Sequence, residues 1–472
     1  MLQRTPKIKY LGLNFTERLD WQHHLNIVTS KAKQNMRNLT NSLGKTWGPT
    51  PKLTRWLYTA IIRPQISYAA HIWASTLKVH KLDQISRNIQ RWALKQIGVF
   101  REKTPTAGLE IIAAIPPLHL YLQEIAIKTI ARMKYTNVYF QKARTGHLNK
   151  WQGIINHFIP EINLPNDRCP RALAPLWCNT TTAPAPDGSD PKSSYIFTDG
   201  SGNNNLFGSG FLIQTGKLKA RGIVNNGPMY TVFLSEVRAI YLAVNKFLSN
   251  PPPQVHEVHI FSDSTSAIQA IKHPTSNSKL IQLTWQSLSA LDARYKWSLT
   301  WVRGHAGNKG NEEADTLAKA GTRWGVIGPP PFIPIPFNYI KKAINKFTLQ
   351  QWNNYWINRP DCRQTKLWFP KPELKKSHQI LTKNRLEVGL LIRWLTGHCY
   401  LARHQSLIFP EINPTCNLCQ QGEETPWHIL TECPHPLVQN KLPPDHWEVD
   451  PLLNLINKIK FLEVPDYADI HY

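Results

Sequence analysis

The stretch YIFTDGSG, residues 195–202, places a single carboxylate, that of Asp199, after a run that favours a β-strand. Tyr, Ile, Phe and Thr are strand formers, and the Gly-Ser-Gly that follows is typical of a turn. A carboxylate at the end of an apolar strand is unfavourable unless a partner compensates its charge. Asp199 is therefore either a strand-end cap in an ordinary sheet or one ligand of a metal site.

The segment around this stretch, residues 193–322, alternates strand and helix patterns. Strands are predicted for the runs GSGFLIQTG, KLKARGIVN, VHEVHIFSD and SLTWVRG. One helix is predicted where apolar residues recur at helical spacing between Val237 and Leu248, and another in NEEADTLAKAG, which ends at a glycine. This alternation predicts an α/β domain.

Four acidic side chains and one histidine of this segment fall at the ends of predicted elements or in a loop: Asp199, Glu236, Asp263, Asp315 and His305. Taken alone, each has an ordinary explanation, because acids favour helix N-termini and caps and a loop histidine is common. Carboxylates that converge on one edge of a sheet repel one another, and their pKa values rise unless a cation neutralises them. Mg²⁺ accepts carboxylate oxygens, and two such ions can hydrolyse a phosphodiester.

The motifs that carry these residues resemble those of type-1 RNase H: TDGS with Asp199, SE with Glu236, SDS with Asp263, and GHAGNKGNEEAD with His305 and Asp315. The resemblance covers residues 195–321 and implies a mixed five-stranded sheet with flanking helices, in which parallel strands follow three antiparallel ones. It also implies that the four acids bind two Mg²⁺ ions and that His305 assists proton transfer or product departure. The implied substrate is an RNA–DNA hybrid, whose RNA strand is cut.

The charge of the chain favours nucleic acid as a partner. Of its 472 residues, 56 are Lys or Arg and 31 are Asp or Glu, which gives a net charge of +25. Residues 1–150 contain 24 basic and 6 acidic residues, net +18, whereas residues 193–322 contain 12 and 8, net +4. A field of this sign concentrates polyanions.

The sequence indicates no membrane partner. The run MLQRTPKIKY lacks the apolar core of a secretory signal, and no apolar run is long enough to span a bilayer. Seven cysteines in a chain of this length fit reduced or metal-bound thiols better than a disulfide scaffold. The expectation is an intracellular location, with the nucleus as a candidate compartment.

Composition predicts a multidomain chain. Proline-rich runs, TTTAPAPDGSDPKSS and GPPPFIPIPF, separate the α/β segment from helical patterns on either side. The predicted regions are a helical basic region, a Pro-rich linker, the RNase H domain, a second Pro-rich linker and a helical tail with a zinc site: 1–145, 146–192, 193–322, 323–340 and 341–472.

Within the first region, Arg87, Arg91 and Lys95 recur every four residues and form a basic stripe on a predicted helix. The stripe is either a solvated helix face or a set of nucleic-acid-binding residues that contact phosphates.

The tail carries the spacing C-x2-C-x8-H-x4-C, formed by Cys416, Cys419, His428 and Cys433. Three cysteines and one histidine are a complete tetrahedral set for a structural Zn²⁺ ion. A disulfide and a coincidental cluster are the alternatives, and His435 is close enough in sequence to compete as the fourth ligand. The tail is therefore predicted to be a small helical zinc-binding region.

An RNase H segment followed by such a tail resembles the C-terminal part of a non-LTR (LINE-type, jockey-like) retrotransposon reverse transcriptase. The runs KYLGL, GKTWG and YTAIIRPQISYAAHIW resemble the thumb region that follows the polymerase palm. No YxDD motif is present, so the chain is expected to start after the palm and to lack polymerase activity. The predicted function is an endoribonuclease fragment of such an enzyme. The alternative is a catalytically idle nucleic-acid-binding remnant with a structural zinc module. A third hypothesis is a zinc-dependent protein-interaction module, and the sequence leaves protein partners unknown.

Overall fold

The structure is a computed structural model that describes residues 5–40, 48–74, 79–98, 103–136, 147–175, 190–323, 334–438, 442–443 and 446–459. The chain divides into two compact units. Unit 1 comprises Met1–Ile127, Thr145–Trp151 and Asn345–Tyr472. Unit 2 comprises Lys128–Arg144 and Gln152–Ile344. Residues from the predicted N-terminal and C-terminal regions thus share unit 1.

The described residues form both strands and helices. The strands are β1 (Lys7–Tyr10), β2 (Leu13–Thr16), β3 (Arg168–Leu173), β4 (Ser193–Asn203), β5 (Leu206–Thr215), β6 (Leu218–Gly227), β7 (Glu257–Ser262), β8 (Thr275–Ser278) and β9 (Lys296–Trp301). The helices are α1 (Trp21–Thr40), α2 (Pro51–Leu57), α3 (Arg63–Ser67), α4 (Ala70–Trp73), α5 (Val79–Ile97), α6 (Thr106–Ile112), α7 (Leu118–Tyr135), α8 (His147–Phe158), α9 (Val232–Ser249), α10 (Thr265–Lys272), α11 (Lys279–Asp292), α12 (Lys309–Arg323), α13 (Phe337–Ile357), α14 (Arg363–Trp368), α15 (Leu374–Leu381), α16 (Arg385–Thr396), α17 (Ala402–Ser406) and α18 (Val449–Ile459). None of these described helices has both the length and the apolar character needed to cross a membrane.

Unit 2 is built on a five-stranded sheet with the order β6-β5-β4-β7-β9. Strands β4, β5 and β6 pair antiparallel, and β7 and β9 extend the sheet in parallel with β4. The predicted mixed sheet with flanking helices is therefore confirmed.

Both faces of the central strand β4 are buried, because its alternate side chains enter two different cores. Ile196 packs with residues of α9, α10 and α11 on one face. Tyr195 and Phe197 pack on the other face, where the rings of Phe197 and Phe261 stack at 5.1 Å. Helix α12 covers that second face closely, since a Cβ at Gly210 of β5 would overlap the backbone of α12 at Ala318.

The range predicted as a first linker, 146–192, contains a helix and a strand. Strand β3 pairs antiparallel with β8, and Asp167 just before it accepts a hydrogen bond from the backbone nitrogen of Leu280 at 2.8 Å. Asn166 also forms a parallel bridge with Ile335 of the range predicted as a second linker. The proline content of these ranges does not predict such pairings, because they depend on partners distant in sequence. The remaining parts of the two predicted linkers, residues 176–189 and 324–333, lie outside the described residues.

Unit 1 is mainly helical, as predicted for the N-terminal region, with the short antiparallel pair β1–β2 at its start, and it joins helices from both ends of the chain. The guanidinium of Arg385 donates to the carbonyls of Gln96 and Pro49 at 2.8 and 2.9 Å. The hydroxyl of Ser377 donates to the carbonyl of Ile111 at 3.0 Å. These bonds connect α15 and α16 to the N-terminal helices.

Candidate active site

Asp199 lies within β4 and not at its end, which corrects the prediction. The parallel pairing of β4 with β7 stops at Thr198, but the antiparallel pairing of β4 with β5 continues to Asn203. Gly200 and Gly202 therefore continue the strand instead of forming a turn. Gly200 makes room for the protein's own backbone, because a Cβ there would overlap the nitrogen of Glu236.

Glu236 sits in the second turn of α9, which begins after Thr231, whose side chain accepts a hydrogen bond from the backbone of Leu234 at 3.2 Å. The close contact between α9 and Gly200 brings this carboxylate to β4. The Glu236 side chain is buried, and its Oε2 atom has no hydrogen-bond partner. An orphaned buried carboxylate oxygen is costly unless a ligand satisfies it.

Asp263 directly follows β7 and is half-buried. Its Oδ2 accepts a hydrogen bond from Nδ2 of Asn311 at 3.3 Å, and its backbone carbonyl accepts one from the indole of Trp301 at 2.9 Å. Neither partner is evident from the sequence. Asn311 and Trp301 each lie within a few residues of the GHAG loop, but neither residue type predicts a contact with Asp263.

The structure brings Asp199, Glu236 and Asp263 together, with one ligand oxygen from each within 4.8 Å of the others. Burial, followed by the charges of Asp263 and Asp315, raises the pKa of Asp199 to about 7. Burial and the charge of Asp199 raise the pKa of Glu236 to about 9. The three carboxylates thus form a cluster that a divalent cation would stabilise.

Asp315 lies on α12 next to this cluster but outside the tight triad. Its Oδ2 pairs with the ammonium of Lys319, one helical turn later, at 2.6 Å. Its charge still acts on Asp199 and Glu236. The hydrogen bond that Lys319 donates to Asp315 raises the pKa of Lys319, and the charge of Asp199 raises it further.

His305 is exposed in the loop between β9 and α12, with a positive φ of 52°. Gly304 beside it faces Asp263, because a Cβ at Gly304 would come 2.9 Å from Oδ2 of Asp263. The loop therefore borders the acidic cluster.

A buried polar network, also missed from the sequence, holds the first turns of α9. The amide of Asn226 donates to the hydroxyls of Ser209 and Ser235 at 2.8 Å each, and Ser209 donates to the carbonyl of Ser235 at 2.7 Å. The guanidinium of Arg238 completes the network at Oδ1 of Asn226. Since Ser235 directly precedes Glu236, the network fixes the backbone that carries that carboxylate.

The four predicted zinc ligands also come together, with one ligand atom from each of Cys416, Cys419, His428 and Cys433 within 4.8 Å of the others. Nε2 of His428 lies 3.2 Å from the sulfur of Cys419. His435 is not part of this group; its Nδ1 accepts a hydrogen bond from its neighbour Leu437.

The surroundings of this Cys/His cluster favour a bound metal. Glu432 lies 3.5 Å from Nδ1 of His428, and such a carboxylate orients a metal-binding imidazole. Burial raises the pKa of Cys416 and of Cys433, whereas hydrogen bonds of the Gln421 backbone and of His428 lower the pKa of Cys419 to about 7. Glu424 fixes the loop by accepting hydrogen bonds from the backbone of Ala402 and Asn417.

The described part of the basic stripe of α5, Arg91 and Lys95, is half-buried. The guanidinium of Arg91 donates to the carbonyl of Thr104 and to the hydroxyl of Thr106. Lys95 is half-buried, and the side chain of Arg87 lies outside the described residues.

Comparisons with known proteins identify the domain. A family model described as RNase H matches residues 191–323. Ribonuclease H of Herminiimonas arsenicoxydans is 33% identical over 144 residues, which cover 27% of this chain and 92% of that protein. Ribonuclease H of Nitrosospira multiformis is 32% identical over 151 residues, which cover 28% of this chain and 91% of that protein.

A third similarity is to an insect protein named as a putative 115 kDa protein in the type-1 retrotransposable element R1DM of Drosophila melanogaster. It is 23% identical over 120 residues, which cover 25% of this chain and 12% of that protein. The acidic cluster, the order of the strands in the sheet and the two bacterial relatives all indicate the same family. Through residues 191–323, this chain belongs to the RNase H family of ribonucleases that cleave RNA–DNA hybrids.

Proposed function

We propose that the chain is an endoribonuclease that hydrolyses the RNA strand of RNA–DNA hybrids with two Mg²⁺ ions, held by Asp199, Glu236, Asp263 and Asp315. The observation that carries this proposal is the acidic cluster, in which three ligand oxygens lie within 4.8 Å of one another. The unpartnered Oε2 of Glu236 fits it as well, because a cation would satisfy that oxygen. Mg²⁺ suits the site since it prefers carboxylate oxygens and retains water.

Two such ions, when bound, supply the charge that activates water and stabilises the leaving oxygen of a phosphodiester. The chain's own residues set the positions of the donors. Gly200 admits α9 so that Glu236 reaches β4, and Asn311 holds Asp263. Asp315 would complete the ligand set, and the cation would then compete with Lys319 for its carboxylate.

His305 assists proton transfer or product departure in this proposal. Its imidazole is exposed on the loop that borders Asp263. An imidazole can act as a general acid or a general base, which suits this role.

The hybrid is recognised by its A-like backbone and its 2′-hydroxyls, without a sequence code. Residues 193–322 carry a net charge of only +4, so the basic residues elsewhere in the chain contribute electrostatic attraction. Arg87, Arg91 and Lys95 are candidate phosphate contacts, and Arg91 also donates hydrogen bonds to Thr104 and Thr106.

The test is cleavage of a labelled RNA–DNA hybrid by the full chain in Mg²⁺, Ca²⁺ and EDTA. We expect cleavage of the RNA strand in Mg²⁺, none in EDTA, and binding without efficient cleavage in Ca²⁺, which tolerates looser coordination. Equal rates in Mg²⁺ and Ca²⁺ would contradict the two-metal mechanism. Absence of cleavage in all three conditions would favour the alternative, an idle nucleic-acid-binding remnant.

We further propose that the chain is part of a LINE-type, jockey-like retrotransposon reverse transcriptase and that Cys416, Cys419, His428 and Cys433 hold a structural Zn²⁺ ion. The similarity to the Drosophila retrotransposon protein supports the first proposal. The approach of three sulfurs and one imidazole, with Glu432 beside the imidazole, supports the second.

A further inference from the structure

A polar cavity lies in unit 2, and none of its lining residues belongs to the acidic cluster. Its volume is about 410 Å³, which is within the range of small-molecule pockets. The end of α7, the start of β3 and the first turns of α11 supply its walls. The lining residues are Lys134, Tyr135, Asn166, Arg168, Cys169, Pro170, Lys279, Gln282, Leu283 and Gln286.

The lining of this cavity is positively charged. It includes Lys134, Arg168 and Lys279, and none of the described lining residues is acidic. The carboxyl of Asp167, which interacts electrostatically with Lys279, is buried and accepts a hydrogen bond from the backbone of Leu280. Burial raises the pKa of Asp167, and its side chain is not part of the lining.

Two hydrogen-bond donors of the lining are buried without a partner. Asn166 is 8% exposed, and its Nδ2 donates to nothing in the described part of the chain. The orientation of this amide is fixed, because its Oδ1 accepts a hydrogen bond from the backbone nitrogen of Arg168 at 2.9 Å. Nε of Arg168 is the second unpartnered donor. A buried donor without an acceptor is unfavourable. A ligand that accepts hydrogen bonds from both atoms would therefore stabilise the site.

The position and charge of Arg168 favour an anionic ligand. Its guanidinium lies 5.1 Å over the ring of Phe337, a cation–π contact that restrains the side chain. Burial and the neighbouring positive charge of Arg132 lower the pKa of Arg168, and burial lowers that of Lys134. An anion in the cavity would relieve this repulsion and accept hydrogen bonds from the orphaned donors.

We propose that this cavity is a phosphate-binding site, in which Asn166 and Arg168 donate to the phosphate oxygens and Lys134 and Lys279 supply charge. Phosphate matches a lining that offers several N–H donors and positive charge without a carboxylate. The phosphate belongs either to a nucleic-acid strand or to a free phosphate compound. The site is separate from the acidic cluster and does not depend on catalysis.

The experiment compares three variants of the full chain in EDTA, where no cleavage interferes. Arg168→Gln removes from the cavity the positive charge of the guanidinium and its Nε hydrogen-bond donor. Asn166→Asp keeps Oδ1, and with it the hydrogen bond to the backbone of Arg168, but replaces the orphaned donor by a negative oxygen. Arg171→Gln is the matched control, because Arg171 lies exposed on the same strand, bonds to Thr275 and does not line the cavity.

The first arm titrates inorganic phosphate by calorimetry. We expect Arg168→Gln and Asn166→Asp each to weaken binding at least about tenfold, since each removes a charge-assisted hydrogen bond, while Arg171→Gln stays close to the parent. The second arm measures binding of an RNA–DNA hybrid as a function of salt. If the phosphate belongs to a nucleic-acid strand, Arg168→Gln lowers the slope of log affinity against log salt by about one, and Arg171→Gln does not.

Loss in the first arm with an unchanged slope in the second would assign the site to a free phosphate compound. Parent-like behaviour of Arg168→Gln and Asn166→Asp in both arms would overturn the proposal. So would an equal effect of Arg171→Gln. Thermal unfolding of each variant checks the fold, and Asn166→Asp keeps the test valid if Arg168→Gln unfolds.

Discussion

At the scale of single residues, Asp199 and Glu236 are held where their charged forms are disfavoured. Their pKa values are raised to about 7 and about 9 by burial and by neighbouring carboxylates. Above about pH 4 an unfolded chain has released these protons, whereas the folded chain without metal still binds them. The folded state therefore loses stability as the pH rises through this window.

This predicts a pH-dependent stability in EDTA. We expect the melting temperature to fall as the pH rises from about 5 to about 8, and Mg²⁺ to oppose the fall because it compensates the carboxylate charges. Asp199→Asn should flatten the dependence and raise the free energy of unfolding at pH 8 by on the order of 2 kcal/mol. Asp292→Asn, outside the cluster, should keep the parent slope. A parent-like slope in Asp199→Asn would contradict the account.

The sequence predicts the acidic residues of the site better than it predicts the residues that hold them. Asp199, Glu236 and Asp263 stand in short motifs whose residue types are chemically specific. Asn311 and Trp301 act through contacts with Asp263 that only the folded loop creates. No periodicity or composition signals such contacts, because they depend on the path of the chain between β9 and α12.

At the scale of elements, the contact between β4 and α9 positions Glu236. The sequence suggests a turn at Gly200, since glycine and serine are common in turns. In the structure the same glycine continues the strand and allows a helix to pack on it. The range predicted as the first linker contains a strand for a related reason: β3 pairs with β8, which is distant in sequence.

Gly200→Ala tests the contact between β4 and α9. The added methyl group would overlap the backbone of Glu236, so the helix must shift. We expect a loss of about 2 kcal/mol or more in the free energy of unfolding, with a loss of hybrid cleavage in the fraction that stays folded. Gly153→Ala is the control, because a Cβ there meets nothing within 4 Å on α8 and should not destabilise the chain. Denaturant titration measures both, and equal effects would refute this role of Gly200.

The Cys/His cluster is a second prediction at this scale. We expect one Zn²⁺ ion per chain by elemental analysis, and its loss together with a lowered melting temperature in Cys416→Ser, because structural zinc contributes folding free energy. Cys169→Ser is the control, since Cys169 is half-buried outside the cluster. Full zinc content in Cys416→Ser would show that the cluster is not the zinc site.

At the scale of the whole molecule, charge and catalytic groups occupy different parts of the sequence. Residues 1–150 carry net +18, and residues 193–322, which contain all the proposed magnesium ligands, carry net +4. Attraction of a polyanion is therefore expected to depend on residues outside the RNase H domain and to weaken as salt rises. Composition alone predicted this separation, because counting charges needs no knowledge of the fold.

The most direct test of the central claim, that the acidic cluster is a hybrid-cleaving active site, is single-turnover cleavage of an end-labelled RNA–DNA hybrid by the full chain in Mg²⁺. The account predicts that the parent chain and Asp292→Asn cut the RNA strand at similar rates. Asp199→Asn should be slower by about a thousandfold or more, a loss of about 4 kcal/mol in transition-state stabilisation. A rate for Asp199→Asn equal to that of the parent, or no cleavage by the parent chain, would contradict it.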